Sequence, residues 1–191
     1  MSTLDNPNQP TIDASTVSPL PGAVRNGLLG GLILIVYGLF AIFTDLASPA
    51  KGFGAIALNL LISIVLYVGI IVYGVRYHRD QELGGFITFG RAFVTGLIVV
   101  VVAGILGAVF NYVYMSFIDP DYMARMMEDM GVMYERLGMT EEQIEEAMAQ
   151  VEGSMSPART ILTAILSSAI IGGIVSLIVA AVMKREPAEA V

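Results

Sequence analysis

The chain has no cysteine and no tryptophan among its 191 residues, and only 14% of them are charged. Without thiols there can be no disulfide scaffold, thiolate metal site or cysteine nucleophile. Soluble domains carry about 25% charged residues, so the shortage of charge argues against one. Basic residues are the scarcer sign: ten Lys and Arg stand against seventeen Asp and Glu, for a formal net charge of -7. No nucleic-acid partner is expected, because neutralising phosphates takes a clustered basic surface. Apolar residues are what the chain has in plenty, at 55% of the sequence with a mean hydropathy of +0.74.

Four runs free of charge hold most of that apolar content: residues 26–44, 52–75, 92–118 and 160–183. At about 1.5 Å of rise per residue, each can cross a hydrocarbon layer about 30 Å thick as one helix. The expected fold is therefore all-α, a polytopic membrane protein with spans at about 27–43, 55–75, 93–117 and 160–183. From Ile161 to Met183 there are twelve Leu, Ile or Val residues, worth about -4 to -7 kcal/mol for insertion before polar corrections. The lipid bilayer is thus the first expected partner.

Between the spans the composition changes. Residues 1–23 are polar and carry Pro7, Pro10, Pro19 and Pro21, the composition of a solvated tail. Arg76, Tyr77, His78 and Arg79 form a cationic and aromatic cluster suited to the headgroup region, with His78 expected as an interfacial anchor. The stretch from Phe86 to Arg91 reads as an interfacial segment leading into the third span. Residues 119–156 hold ten acidic and two basic side chains, a local net charge of -8. There Asp119 and Pro120 predict a helix start with Asp119 as N-cap. Met123, Met126, Met127, Met130 and Met133 recur at helical spacing, Gly138 is placed to end that helix, and Thr140 to Gln143 matches a capping box. An acidic extramembrane helical hairpin is expected over residues 118–157. Ser156-Pro157 then launches the last span, and residues 185–191 form a C-terminal tail.

Sidedness follows from Lys and Arg. Arg25, Arg76, Arg79, Arg91, Lys184 and Arg185 share one side, whereas Lys51, Arg125, Arg136 and Arg159 share the other. The positive-inside rule places both termini in the cytoplasm, with the hairpin outside.

The residues that could carry function are few. Ala164, Ser168, Gly172, Ser176 and Ala180 fall at a spacing of four, a small-residue face for packing inside the chain or, in a homo-oligomer, between chains. Asn59 and Asn111 are the strongest polar groups within the spans and could line a small polar path; hydrogen bonding between helices is the simpler role. No ionisable residue lies within a predicted span, which disfavours ion-coupled transport. The methionines Met123, Met126, Met127, Met130 and Met133 could bind Cu(I) as soft ligands, but an apolar packing or partner-binding face is the simpler reading. His78 is the only histidine and has no catalytic motif around it. No enzyme activity, metal or other cofactor is expected. The functional expectation is a structural or interaction subunit that docks a membrane-protein partner or a second copy, with a small channel or transporter through Asn59 and Asn111 as the alternative.

Three stretches together resemble a known family. They are Phe86-Ile87-Thr88-Phe89-Gly90-Arg91-Ala92-Phe93, then Asn111-Tyr112-Val113-Tyr114 with Phe117-Ile118-Asp119-Pro120-Asp121, then Gly138-Met139-Thr140-Glu141-Glu142-Gln143-Ile144. In this order they are similar to the DUF4199 family of small multi-pass bacterial membrane proteins. The resemblance covers about residues 25–184 and leaves out the proline-rich front. It implies a multi-pass fold and transfers no catalytic residue.

Overall fold

The computed structural model describes residues 13–154 and 157–185. Met155, the expected cap Ser156, the tail before Asp13 and the residues after Arg185 lie outside the described residues. Six helices account for most of the chain: α1 (Leu20–Phe43), α2 (Phe53–Tyr77), α3 (Phe89–Val113), α4 (Tyr122–Arg136), α5 (Glu141–Ser154) and α6 (Pro157–Met183). Single π-helical turns extend α2 over His78–Glu82 and α3 over Tyr114–Ile118. Among the described residues, four helices are long and apolar enough to cross a membrane.

The first span begins at Leu20, ahead of the expected residue 27. Pro19 and Pro21 made this stretch read as tail. A proline in the first helical turn costs nothing, however, since the N–H it lacks would have had no partner in the helix. The α1–α2 connection turns at Asp45, whose φ is 53°, and at Gly52, whose φ is 82°. Between them lies a short 3-10 turn, Pro49–Lys51.

At the centre stands α3, which packs most extensively against α6 and α1; α2 touches all three. Ile71, Val75, Val100, Val179 and Ala180 form the main buried cluster. Glycines set the closest approaches. A side chain at Gly96 would meet Ser176 Oγ at 2.8 Å, and one at Gly172 would run into Val100. The surface is inverted relative to a soluble bundle, with Val36, Phe43, Leu61, Val65, Ile170 and Val182 all exposed. Exposed apolar side chains over helices of this length are what lipid accommodates.

The segment before α3 differs from expectation. Leu83 and Ile87 are buried in the main core, while Phe86 and Phe89 remain exposed. An isolated antiparallel bridge explains how a loop can be buried here: Ile87 and Arg185 exchange backbone hydrogen bonds at 2.9 Å each. These bonds satisfy the polar backbone that burial would otherwise strand.

In the acidic loop, two expected devices are present. Gly138, with φ 77°, follows the last turn of α4. Met139 N–H donates to the Tyr134 carbonyl at 3.2 Å and Gly138 N–H to that of Glu135 at 2.9 Å, which is the Schellman pattern. Thr140 and Gln143 exchange reciprocal capping bonds at 2.9 and 3.4 Å. Asp119, in contrast, is not the N-cap. Helix α4 starts at Tyr122 with no side-chain cap, and the Asp119 carboxylate instead accepts from Arg125 and, at 3.3 Å, from the Tyr114 hydroxyl. With both partners ionised, the bond to guanidinium offers the carboxylate more than a backbone N–H at the helix start.

Candidate functional site

Two places concentrate polar groups, one at each end of the bundle. At the end that carries the α2–α3 connection, the π-helical turn after α2 brings His78 and Glu82 onto one face. His78 is fully buried, which corrects its expected role as an exposed interfacial anchor. Its Nδ1 pairs with the Glu82 carboxylate, and its Nε2 accepts a bond from Arg91 Nε at 3.2 Å. Arg91 can only donate, so Nε2 acts as the acceptor while Nδ1 faces Glu82. The carboxylate in turn closes on Gly22 of α1, where a Cβ would collide with it. Arg25 lies over the Tyr77 ring at 4.4 Å, and Asp80 accepts a two-pronged bond from Arg79 at 2.7 and 3.1 Å. Three helices are thus tied by one small polar cluster.

Just inside this cluster lies Asn26, 2% exposed, whose Oδ1 and Nδ2 have no hydrogen-bond partner among the described residues. Ser176 Oγ is a second unpartnered buried group, at the close crossing of α3 and α6.

At the opposite end, α4 rests on the α1–α2 connection. Ser48 Oγ donates to Asp129 Oδ2 at 2.6 Å, and Arg136 donates to the Ala50 carbonyl. A small cavity of about 70 Å³ remains beneath, lined by Tyr122, Met126 and Asp129 among others. Beside it α3 and α6 diverge, leaving a cleft of about 550 Å³ that includes Gly104, Gly107, Asn111, Met123 and Ala164 in its walls. Asp119, at the start of this region, has its carboxyl held below the usual carboxylate range, chiefly by the bond from Arg125.

The small-residue face of α6 is spent within the chain over most of its length. Ser168 lies against Gly104, Gly172 against Val100 and Tyr67, Ser176 against Gly96, and Ala180 is fully buried. Ser168 is also a junction: its Oγ donates to the Val100 carbonyl at 3.2 Å, and the Tyr67 hydroxyl donates to its carbonyl at 3.0 Å. Only Ala164 opens into the cleft.

Asn59 and Asn111 are not brought together. Asn59 accepts from the Tyr37 hydroxyl at 2.6 Å, within the α1–α2 pair, whereas Asn111 lines the cleft between α3 and α6. Of the methionines, Met126 faces the α1–α2 connection and Met123 the cleft. Met127, Met130 and Met133 are half-buried on the same helix. No motif joins His78 to Glu82 and Arg91. A spacing of four between His78 and Glu82 was the available signal, and it was hidden because His78–Glu82 looked like a loop rather than a helical turn.

The model of a family described as a protein of unknown function (DUF4199) matches residues 25–185, and the chain belongs to that family. No curated protein and no solved structure gives a significant match.

Proposed function

We propose that this family member is a non-enzymatic interaction subunit of the bacterial inner membrane, acting through its acidic, Met-rich hairpin and the cleft beside it. Both termini lie in the cytoplasm on this reading and the hairpin lies outside. One observation carries it: α4 is anchored to the α1–α2 connection by the Ser48–Asp129 and Arg136–Ala50 bonds, while the glutamates of α4 and α5 stay exposed. Glu128, Glu135, Glu141, Glu142, Glu145 and Glu146 are all exposed. A fixed acidic platform suits a partner with a basic surface, because complementary charge steers association and fixes register. The small residues Gly107 and Ala164, which line the cleft, give an accompanying partner helix a place to approach closely within the bilayer.

The alternative, a channel or transporter through Asn59 and Asn111, has less support. The two residues face different helix pairs, and Ile71, Val99, Val100 and Ala103 fill the core between the cleft and the polar cluster.

The test compares the native chain with a variant carrying Glu141→Lys, Glu142→Lys, Glu145→Lys and Glu146→Lys, and with a second carrying Met127→Ala and Met130→Ala. Each is crosslinked in intact cells and then purified in detergent. A discrete partner adduct, present for the native chain and lost in both variants while their melting is unchanged, supports the reading. Recovery of the native chain as a lone monomer, together with solute flux in liposomes that Asn111→Leu abolishes, would replace it with the alternative.

A further inference from the structure

Asn26 is the larger of two buried polar side chains that, among the described residues, the fold leaves unanswered. Its amide offers both donors and an acceptor, and neither side has a partner among the described residues although the residue is 2% exposed. Such groups are almost always satisfied by protein or by ordered water. Within a bilayer the demand is stricter, since lipid offers no hydrogen bonds.

The surroundings say what could satisfy it. Asn26 follows Gly22 by one helical turn on the same face of α1, and Cα–Cβ bonds lean toward the helix N-terminus. The amide is therefore directed toward the level at which Glu82 closes on Gly22. Its neighbours Ala23 and Gly27 pack against α3 at Val99 and Val102, so the amide lies in the junction of α1, α2 and α3. Deeper in, Ile71, Val75 and Val99 are fully buried and close the junction. Outward, the Glu82 side chain keeps 25% of its surface exposed.

Charge selects the guest. The Glu82 carboxylate and the Arg91 guanidinium, of opposite charge, flank the His78 ring, and Arg25 lies nearby over Tyr77. A cation would face the guanidinium and an anion the carboxylate, whereas a neutral molecule meets neither penalty. The amide needs an acceptor for its N–H groups and a donor for its oxygen.

We propose that this junction holds water on the Asn26 amide and exchanges it with bulk solvent past Glu82. That water hydrates the His78–Glu82 pair from one face of the membrane only, because the apolar core beyond Val99 stops it.

The experiment uses the full chain in lipid vesicles and water-edited solid-state NMR, with water as the probe. Magnetisation from water should reach the Asn26 side-chain amide several-fold faster than the Val99 and Ile71 methyls, and nearly as fast as the exposed side chain of Gln81. In Asn26→Leu, provided its spectrum shows the native fold, transfer to the Gly27 backbone amide should slow several-fold. An Asn26 amide as slow as Val99 would overturn the proposal, and so would unchanged transfer to Gly27 in a folded Asn26→Leu. Should that variant fail to fold, the native measurement decides alone.

Discussion

His78 shows how a single buried side chain can fasten three helices. With Glu82 on one ring nitrogen and Arg91 on the other, removing the ring strands two opposite charges in a poorly solvated place. His78→Ala should destabilise the protein by about 2–3 kcal/mol, read as a lowered melting temperature in detergent; a loss below about 0.5 kcal/mol, the scale of an ordinary surface change, would contradict the pairing. Glycines make the complementary case. At Gly172 any side chain meets Val100 and Tyr67, whereas Gly107 has open space around its missing Cβ. Gly172→Val should therefore cost about 1–3 kcal/mol through overpacking, while Gly107→Ala should be neutral or gain up to about 1 kcal/mol from helix propensity. Equal effects at the two positions would show that the α3–α6 crossing is misplaced. The spacing of small residues made the α6 face legible in the sequence, but nothing in it said that α3 was the occupant. Pairing depends on which helix lies next to which, and residue periodicity carries no such information.

Elements were most legible where local chemistry alone decides them. The stop at Gly138 and the capping box from Thr140 to Gln143 follow from backbone groups that have no other partner nearby. Thr140→Ala should cost α5 about 1 kcal/mol, seen as roughly fivefold faster amide exchange in its first turn; unchanged exchange would mean that the cap is idle. Asp119 was misread because a distant group, Arg125, competes for its carboxylate. That competition has a pH signature. The folded carboxyl is depressed below its ordinary value, so the stability it adds is complete above the unfolded carboxylate range, near pH 4. It is lost as pH falls through the lower folded value. Acid should accordingly loosen the start of α4, followed by exchange or fluorescence labelling there, and Asp119→Asn should remove that part of the acid response. A variant with the native acid profile would show that other carboxylates govern it. Prolines misled in the other direction: Pro19 and Pro21 read as tail but occupy the cap and first turn of α1.

The whole molecule divides into a bundle whose apolar surface faces outward and two shorter helices, α4 and α5, of which α4 rests on the α1–α2 connection. Its class was legible because four long charge-free runs leave few alternatives for a chain with so little charge. The polar cluster was not legible, because its members come from the start of α1, a π-helical turn after α2 and the first turn of α3. Only the packed bundle brings those turns to one level. The central claim is that the hairpin and the α2–α3 connection lie on opposite faces of a membrane. The natural lack of cysteine allows one direct measurement, with single substitutions at two exposed positions, Gln150→Cys in α5 and Gln81→Cys after α2. In intact spheroplasts, a thiol reagent that cannot cross membranes should label Gln150→Cys and leave Gln81→Cys unlabelled until the cells are opened. Labelling of both before opening, or of Gln81→Cys alone, would contradict the account.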